Sequence, residues 1–299
     1  MKEHDIKVNS LSAWVLAARP KTLTAASVPV LIGLASAFSD IGWERFLVLP
    51  AVLCLAFALV MQIAANFIND YYDYRRGNDN EERLGPERAC AAGMVTEQAM
   101  RRAIGITIVA ACLVGLPLVV YGGMEMVLVG VLCVGFCFLY TTHLSYMGLG
   151  DVLVIMFFGL VPVTIVYYLQ AHTVTPAVVM LSIACGIVVD GLLLVNNYRD
   201  IYNDRKTGKN TLVVRIGARR SRLLYLFTGI AACVINALAL LPLGRIAAAV
   251  APCLYLPLHV AAYVGMVKIE RGRRLNEVLG YTARNIFVYG LLTAIGLIV

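Results

Sequence analysis

Residues 196–204 read Asn-Asn-Tyr-Arg-Asp-Ile-Tyr-Asn-Asp and close an apolar run long enough to cross a bilayer, which takes about 20 residues in a helix. Asn196, Asp200 and Asp204 are spaced i, i+4, i+8. On a helix each is rotated by only about 40° from the last, so the three share one face. That face gathers negative charge at a helix C-terminus, where the backbone dipole already disfavours anions and successive carboxylates repel. Something cationic is expected opposite them. A hard divalent ion such as Mg²⁺ takes carboxylate oxygens, completes its octahedron with water and phosphate oxygens, and removes the repulsion.

The composition puts this stretch in a membrane. Of 299 residues, 60% are hydrophobic and 14% charged, more apolar surface than a soluble domain of this size can hide. Nine stretches are long and apolar enough to span: 23–38, 46–71, 98–121, 126–141, 149–169, 175–198, 221–241, 246–267 and 278–299. The first and fourth are short and are expected to extend into their flanks. The expected fold is all-α, a polytopic membrane protein with nine transmembrane helices. Residues 1–16 carry charges of both signs and no apolar core followed by a cleavage site, so the first span is expected to be retained. All eight cysteines except Cys90 lie inside apolar runs without a C-x-x-C pair and read as small buried hydrophobes.

Lysine and arginine set the orientation. Lys2, Lys7, Arg19 and Lys21 precede span one; Arg75, Arg76, Arg83, Arg88, Arg101 and Arg102 follow span two; further clusters follow spans six and eight. The opposite connections hold Arg45 and Arg245. The net charge of +7 therefore speaks of topology, with the N-terminus and the basic loops expected in the cytoplasm, and not of nucleic acid.

The chain also repeats itself. Span two ends in Asn66, Asn69, Asp70 and Asp73, followed by a basic loop with Gly77 and Asp79; span six ends in Asn196, Asp200 and Asp204, followed by a basic loop with Gly208. An even offset of four spans gives both motifs one orientation, so a parallel duplication of spans one to four in spans five to eight, with span nine added, brings two acidic helix ends to one mouth. Polar and ionisable groups at membrane depth are costly and mark a pathway or a site. Arg75, Arg76, Arg83 and Arg88 after the first motif, and Arg199, Arg205, Lys206 and Lys209 after the second, are mixed with these acids. Cations beside metal-binding carboxylates suit a diphosphate: the metal bridges carboxylate to phosphate while Arg and Lys take the remaining oxygens.

These residues resemble the intramembrane aromatic prenyltransferases of the UbiA superfamily, whose pattern is N-D-x-x-D-x-x-x-D on one helix and D-x-x-x-D-x-x-x-D on another. Here the first reads Asn69-Asp70-Tyr71-Tyr72-Asp73, with Gly77 where the last Asp would stand and Asp79 two residues on. The second has Asn196 in place of its first Asp, then Asp200 and Asp204. Both departures are similar to the 1,4-dihydroxy-2-naphthoate branch. So are Glu82-Arg83-Leu84-Gly85-Pro86, Asn196-Asn197-Tyr198-Arg199-Asp200, Asp204-Arg205-Lys206-Thr207-Gly208-Lys209 with Arg215-Ile216-Gly217, and Ala18-Arg19-Pro20-Lys21-Thr22.

The resemblance implies a single domain over residues 1–299, its nine helices bundled around a central cavity in a bacterial inner membrane. It implies transfer of a long polyprenyl chain from polyprenyl diphosphate to 1,4-dihydroxy-2-naphthoate, with loss of diphosphate and CO₂. Asn69, Asp73, Asp79, Asn196, Asp200 and Asp204 would hold Mg²⁺, with turnover depending on Asp73, Asp200 and Asp204. Tyr71, Tyr72, Tyr140 and Tyr146 are placed to shield an allylic cation, and Arg19, Lys21 and Arg284 stand apart from the acids as partners for the acceptor carboxylate. The superfamily's Tyr-x-x-x-Lys pair is broken here, since Tyr140 is followed by Leu144. Another acceptor such as 4-hydroxybenzoate is the alternative within this class, and an ion-coupled transporter the alternative outside it. Transporter sites sit near the midplane on broken helices, a position that only Asp190 fits.

Overall fold

The computed structural model describes residues 7–77 and 83–299. Among these, nine helices are long and apolar enough to cross a membrane: Pro20–Ile41, Val48–Arg75, Glu97–Gly122, Glu125–Leu144, Gly150–Ala171, Pro176–Lys206, Ala218–Leu243, Ile246–Ile269 and Leu275–Ile298. The first and fourth do extend into their flanks. Span six runs eight residues beyond 198, so Asp200 and Asp204 are helical; Arg205 and Lys206 in its last turn oppose the C-terminal dipole.

Local chemistry sets the helix ends. Ser10, Thr96 and Thr175 accept from the backbone N–H three residues on, capping a short surface helix Leu11–Ala18, span three and span six. Pro20 and Pro176 occupy first-turn positions, where a missing N–H costs nothing. Between the surface helix and span one stands Arg19, in left-handed backbone at φ 50°. Two single π-helical turns interrupt regular winding, Tyr140–Leu144 ending span four and Met156–Leu160 within span five. Such turns concentrate at functional positions.

Span six is the axis. Of its most apolar stretch 67% is buried inside the protein, against 6% for span four, whose surface is divided between the central cavity and the outside of the bundle. Spans five and six approach backbone to backbone, since a Cβ on Gly186 would stand 2.7 Å from the Ile155 carbonyl. Small residues allow such contact where lipid offers no hydrophobic drive to associate. At the end opposite the basic loops, Asp40 of span one pairs with Arg245 at 2.5 Å and accepts from the Tyr167 hydroxyl at 2.5 Å. That cluster fastens spans one and five to the connection between spans seven and eight.

Candidate active site

A cavity of about 1230 Å³ opens among spans one to six. Its walls are mostly apolar, from residues such as Pro29, Phe57, Val134, Phe157 and Val166, and its polar end is built from the two acidic helix ends.

On span two, Asn66, Asn69 and Asp73 line the cavity in the i, i+3, i+7 order of one helix face. Asn66 donates to the Ala18 carbonyl at 2.8 Å and the Thr22 hydroxyl at 2.9 Å, holding the segment that carries Arg19. Asn69 accepts from the Thr141 hydroxyl, and Asp73 lies 3.5 Å from Arg88. Asp70 is buried and turned to the other side, where its two oxygens accept from the backbone N–H groups of Ala89 and Cys90 at 2.9 Å each. It anchors the loop from which Arg83, Pro86 and Arg88 reach the cavity.

Span six solves the same problem with an arginine of its own. Arg199, 2% exposed, donates through Nε and Nη2 to both oxygens of Asp200 at 3.0 and 2.6 Å, through Nη2 to Asn196 at 2.8 Å and through Nη1 to Asn276 of span nine at 2.7 Å. Asn276 in turn donates to the Leu84 carbonyl at 2.9 Å, so the first motif's loop is tied to the second motif. Gly85 permits the approach: a Cβ there would stand 2.7 Å from the Arg199 guanidinium. Asp204 is buried with Oδ2 lacking a hydrogen-bond partner. Burial works to lower the Lys209 ammonium, but Asp204 and Asp73, with lesser help from Tyr146 and Asp200, hold it above its ordinary value. It enters the cavity as a cation.

The structure brings Asn69, Asp73, Asn196, Arg83, Arg88, Lys209, Arg19, Lys21 and Tyr140 to the cavity wall. Asp200 and Asp204 are not among the residues of that wall; Asp200 is held by Arg199 beside Asn196, which is on it. Asp79 lies outside the described residues. Several expectations are corrected. Arg75 turns outward to Glu97 at 3.7 Å with its side chain 59% exposed, and Arg205 and Lys206 are exposed on the outer side of span six, so these three do not line the cavity. Tyr71 and Tyr72 stack edge to face at 5.1 Å, Tyr71 hydrogen-bonding Glu97 and Tyr72 meeting Phe138, away from the cavity. Tyr146 carries the Arg76 guanidinium 4.7 Å above its ring. Arg284 is exposed, 5.4 Å over the Tyr281 ring on the outer face of span nine.

The sequence offers Arg76 and Arg199 as diphosphate cations and Asp70 as part of the first motif, whereas all three are positioning groups; Asn276 it does not single out. Arg76 donates to the carbonyls of Thr141 and Thr142, fastening the π turn that presents Tyr140 and Thr141. Only Arg199 carried a signal of that role, being i+3 from Asn196 on the acidic face.

The donor set fits a hard divalent cation. It consists of carboxylate and amide oxygens, and the buried, unpartnered Asp204 oxygen is the kind of ligand such an ion satisfies. Among the described residues no three His, Cys, Asp or Glu side chains converge as a ready-made metal cluster.

Residues 26–289 match the model of the UbiA prenyltransferase family. The chain belongs to the UbiA prenyltransferase family. Within that family it is 38% identical over 231 residues to the 1,4-dihydroxy-2-naphthoate octaprenyltransferase of Escherichia coli (strain K12), covering 72% of each chain. It is 30% identical over 298 residues to the enzyme of the same name from Bacillus subtilis (strain 168), covering 96% of this chain and 92% of that one. Solved UbiA homologues share the fold. One from Aeropyrum pernix K1 has a TM-score of 0.69 at 15% identity, over 91% of this chain and 97% of its own. One from Archaeoglobus fulgidus bound to GPP and Mg²⁺ has a TM-score of 0.61 at 15% identity, over 94% and 99%.

Proposed function

We propose that this UbiA-family prenyltransferase transfers a long polyprenyl chain from its diphosphate to 1,4-dihydroxy-2-naphthoate, releasing diphosphate and CO₂. The observation that carries the reading is the meeting of both polar helix ends with Arg83, Arg88 and Lys209 at one end of an apolar cavity. A diphosphate belongs among the cations and a hydrocarbon tail among the apolar walls. The relatives named for this reaction supply the acceptor.

In this reading Arg83, Arg88 and Lys209 bind diphosphate oxygens. Asn69, Asp73, Asn196, Asp200 and Asp204 would hold Mg²⁺, with Asp79 a candidate sixth ligand. Bound there, Mg²⁺ supplies Lewis-acid neutralisation of the leaving diphosphate. Arg199 keeps Asp200 and Asn196 aimed and balances the charge of Asp200. Tyr140 offers its ring to the allylic cation formed as the C–O bond breaks. Arg19, held by the Asn66 contacts to its neighbours, takes the acceptor carboxylate until that group leaves as CO₂. The two halves act as duplicated units meeting at one mouth, with the N-terminus and basic loops in the cytoplasm and the spans in a bacterial inner membrane.

The test is an assay with labelled polyprenyl diphosphate and two acceptors in parallel. A prenylated, decarboxylated naphthol is expected; a product formed only from 4-hydroxybenzoate overturns the acceptor assignment, and no product from either overturns the reading.

A further inference from the structure

Behind Tyr140 lies a second, small cavity of about 10 Å³, lined by Tyr140, Ser145, Asp151, Asn197, Lys209 and Thr211 among others. Tyr140 belongs to the wall of both cavities, together with Ser145, Leu193, Asn197 and Lys209. Its hydroxyl is fixed beside the start of span five, 3.8 Å from where a Cβ on Gly150 would stand. The next residue is Asp151, 6% exposed, whose Oδ1 has no hydrogen-bond partner. Asp190 of span six, 5% exposed, also has an unpartnered Oδ1. Spans five and six meet at Ile155 with Gly186 and at Gly150 with Leu193, an antiparallel register that sets Asp151 opposite Asp190. Asp190 shares its helix face with Leu193 and Asn197, both on the small cavity's wall.

Two buried carboxyls this close, with no ion pair to either among the described residues, do not both carry charge in a low-dielectric setting; one proton between them resolves the repulsion. The small cavity has the volume that one water needs, and its walls supply the polar partners. The other charged groups facing Tyr140 are Asp73 and Asp204, and Lys209 is the cation of the small cavity.

The proposed reaction needs a place to put a proton for part of its course. Ionising an acceptor hydroxyl pushes electron density onto the ring carbon that attacks. The donor's C–O bond breaks with its electron pair leaving on diphosphate, and the new C–C bond forms. The ring–carboxylate bond then breaks, its pair returns to the ring, CO₂ departs, and the product oxygen takes a proton back. The hydroxyl proton is lent and returned, with no net consumption.

We propose that Tyr140, one water in the small cavity and the Asp151–Asp190 carboxyl pair form a relay that takes the acceptor's hydroxyl proton and gives it back. The relay rests on the prenyl-transfer reading above. Asp151 and Asp190 are positioning and proton-holding residues that act through Tyr140 and do not touch substrate.

Two measurements on the full-length enzyme in lipid nanodiscs test it. Infrared spectroscopy of the wild type should show a protonated carboxyl C=O band that shifts in D₂O and changes position or is lost in both Asp151→Asn and Asp190→Asn, the remaining carboxyl no longer sharing its proton. Absence of the band from the wild type, as would follow if a cation lay between the carboxyls, overturns the shared proton without relying on any variant. In steady-state kinetics, Asp151→Asn and Asp190→Asn should each lower kcat about 100-fold near neutral pH, in the range a positioned acid–base group supplies. The KM for polyprenyl diphosphate should stay unchanged. The deficit should shrink as pH rises and the acceptor ionises unaided, and Tyr140→Phe should follow the same pH profile. Unaltered kcat, or a loss equal at every pH, overturns the relay. If the wild type turns over 4-hydroxybenzoate and not the naphthoate, the acceptor reading fails while the relay is measured on that phenol.

Discussion

The polar ends of spans two and six both set acids and amides at helical spacing, yet they are held differently. Span two spends one carboxylate, Asp70, on backbone N–H groups of Ala89 and Cys90 and leaves Asp73 facing the cavity beside Arg88. Span six keeps its balancing charge within the motif, Arg199 gripping Asp200 from one residue away while Asp204 stays buried and partly unpartnered. One end is thus a loop anchor plus a single acid, the other a self-compensated acid pair. Carboxylate spacing announces that charge will converge, whereas the partner of each carboxylate decides which oxygens remain for a ligand.

The sharpest way to break this comparison is to remove what joins the two ends. Excess chelator should abolish turnover and added Mg²⁺ should restore it, measured by product formation; full turnover in chelator would leave the ends without a shared ion. Next come the acids themselves. Asp73→Ala and Asp200→Ala should each reduce turnover to background, and the double substitution should be scarcely worse, because residues acting on one group lose their effect together. Losses that multiply would make them two separate sites.

The difference between the ends is tested by stability. Arg199→Ala leaves the mostly enclosed Asp200, its side chain 13% exposed, without its counter-charge and should cost about 3 kcal/mol as well as activity, read from denaturation in lipid nanodiscs. Asp70→Ala strands two N–H donors and should cost about 1–3 kcal/mol for each of them that stays buried. Asp73→Ala breaks the looser 3.5 Å pair with Arg88 and should cost less than Arg199→Ala, so an equal or larger loss there would erase the distinction between anchor and ligand. The smallest effect concerns the acceptor. Arg19→Gln should raise the acceptor's KM several-fold more than the donor's, while Arg284→Gln should alter neither, in keeping with its place on the outer face of span nine.

Much of this was legible in sequence because lipid imposes simple rules. Nine apolar runs gave nine spans, and the faces bearing Asn69, Asp73 and Asn196 follow from helical period alone. The basic residues were harder, since a membrane protein's loops are rich in cations whatever their role. Arg75 and Arg88 read alike in the chain; one meets Glu97 at the surface and the other meets Asp73 inside. Tyr71 and Tyr72 failed for a related reason: Tyr71, two positions from both Asn69 and Asp73, points to the other side of the helix, and Tyr72, at the edge of their face, packs on Phe138. Asn276 carried no signal, because its partners Arg199 and Leu84 are 77 and 192 residues distant in sequence.

The apolar chamber has a consequence for handling the protein. With about 1230 Å³ walled mostly by hydrocarbon, it accepts amphiphiles generally, and a detergent monomer presents the same polar-headed, long-tailed outline as the prenyl donor. Solubilising agents are then competitive ligands as well as solvents. The donor's apparent KM should climb with micelle concentration and settle when the enzyme is returned to a bilayer.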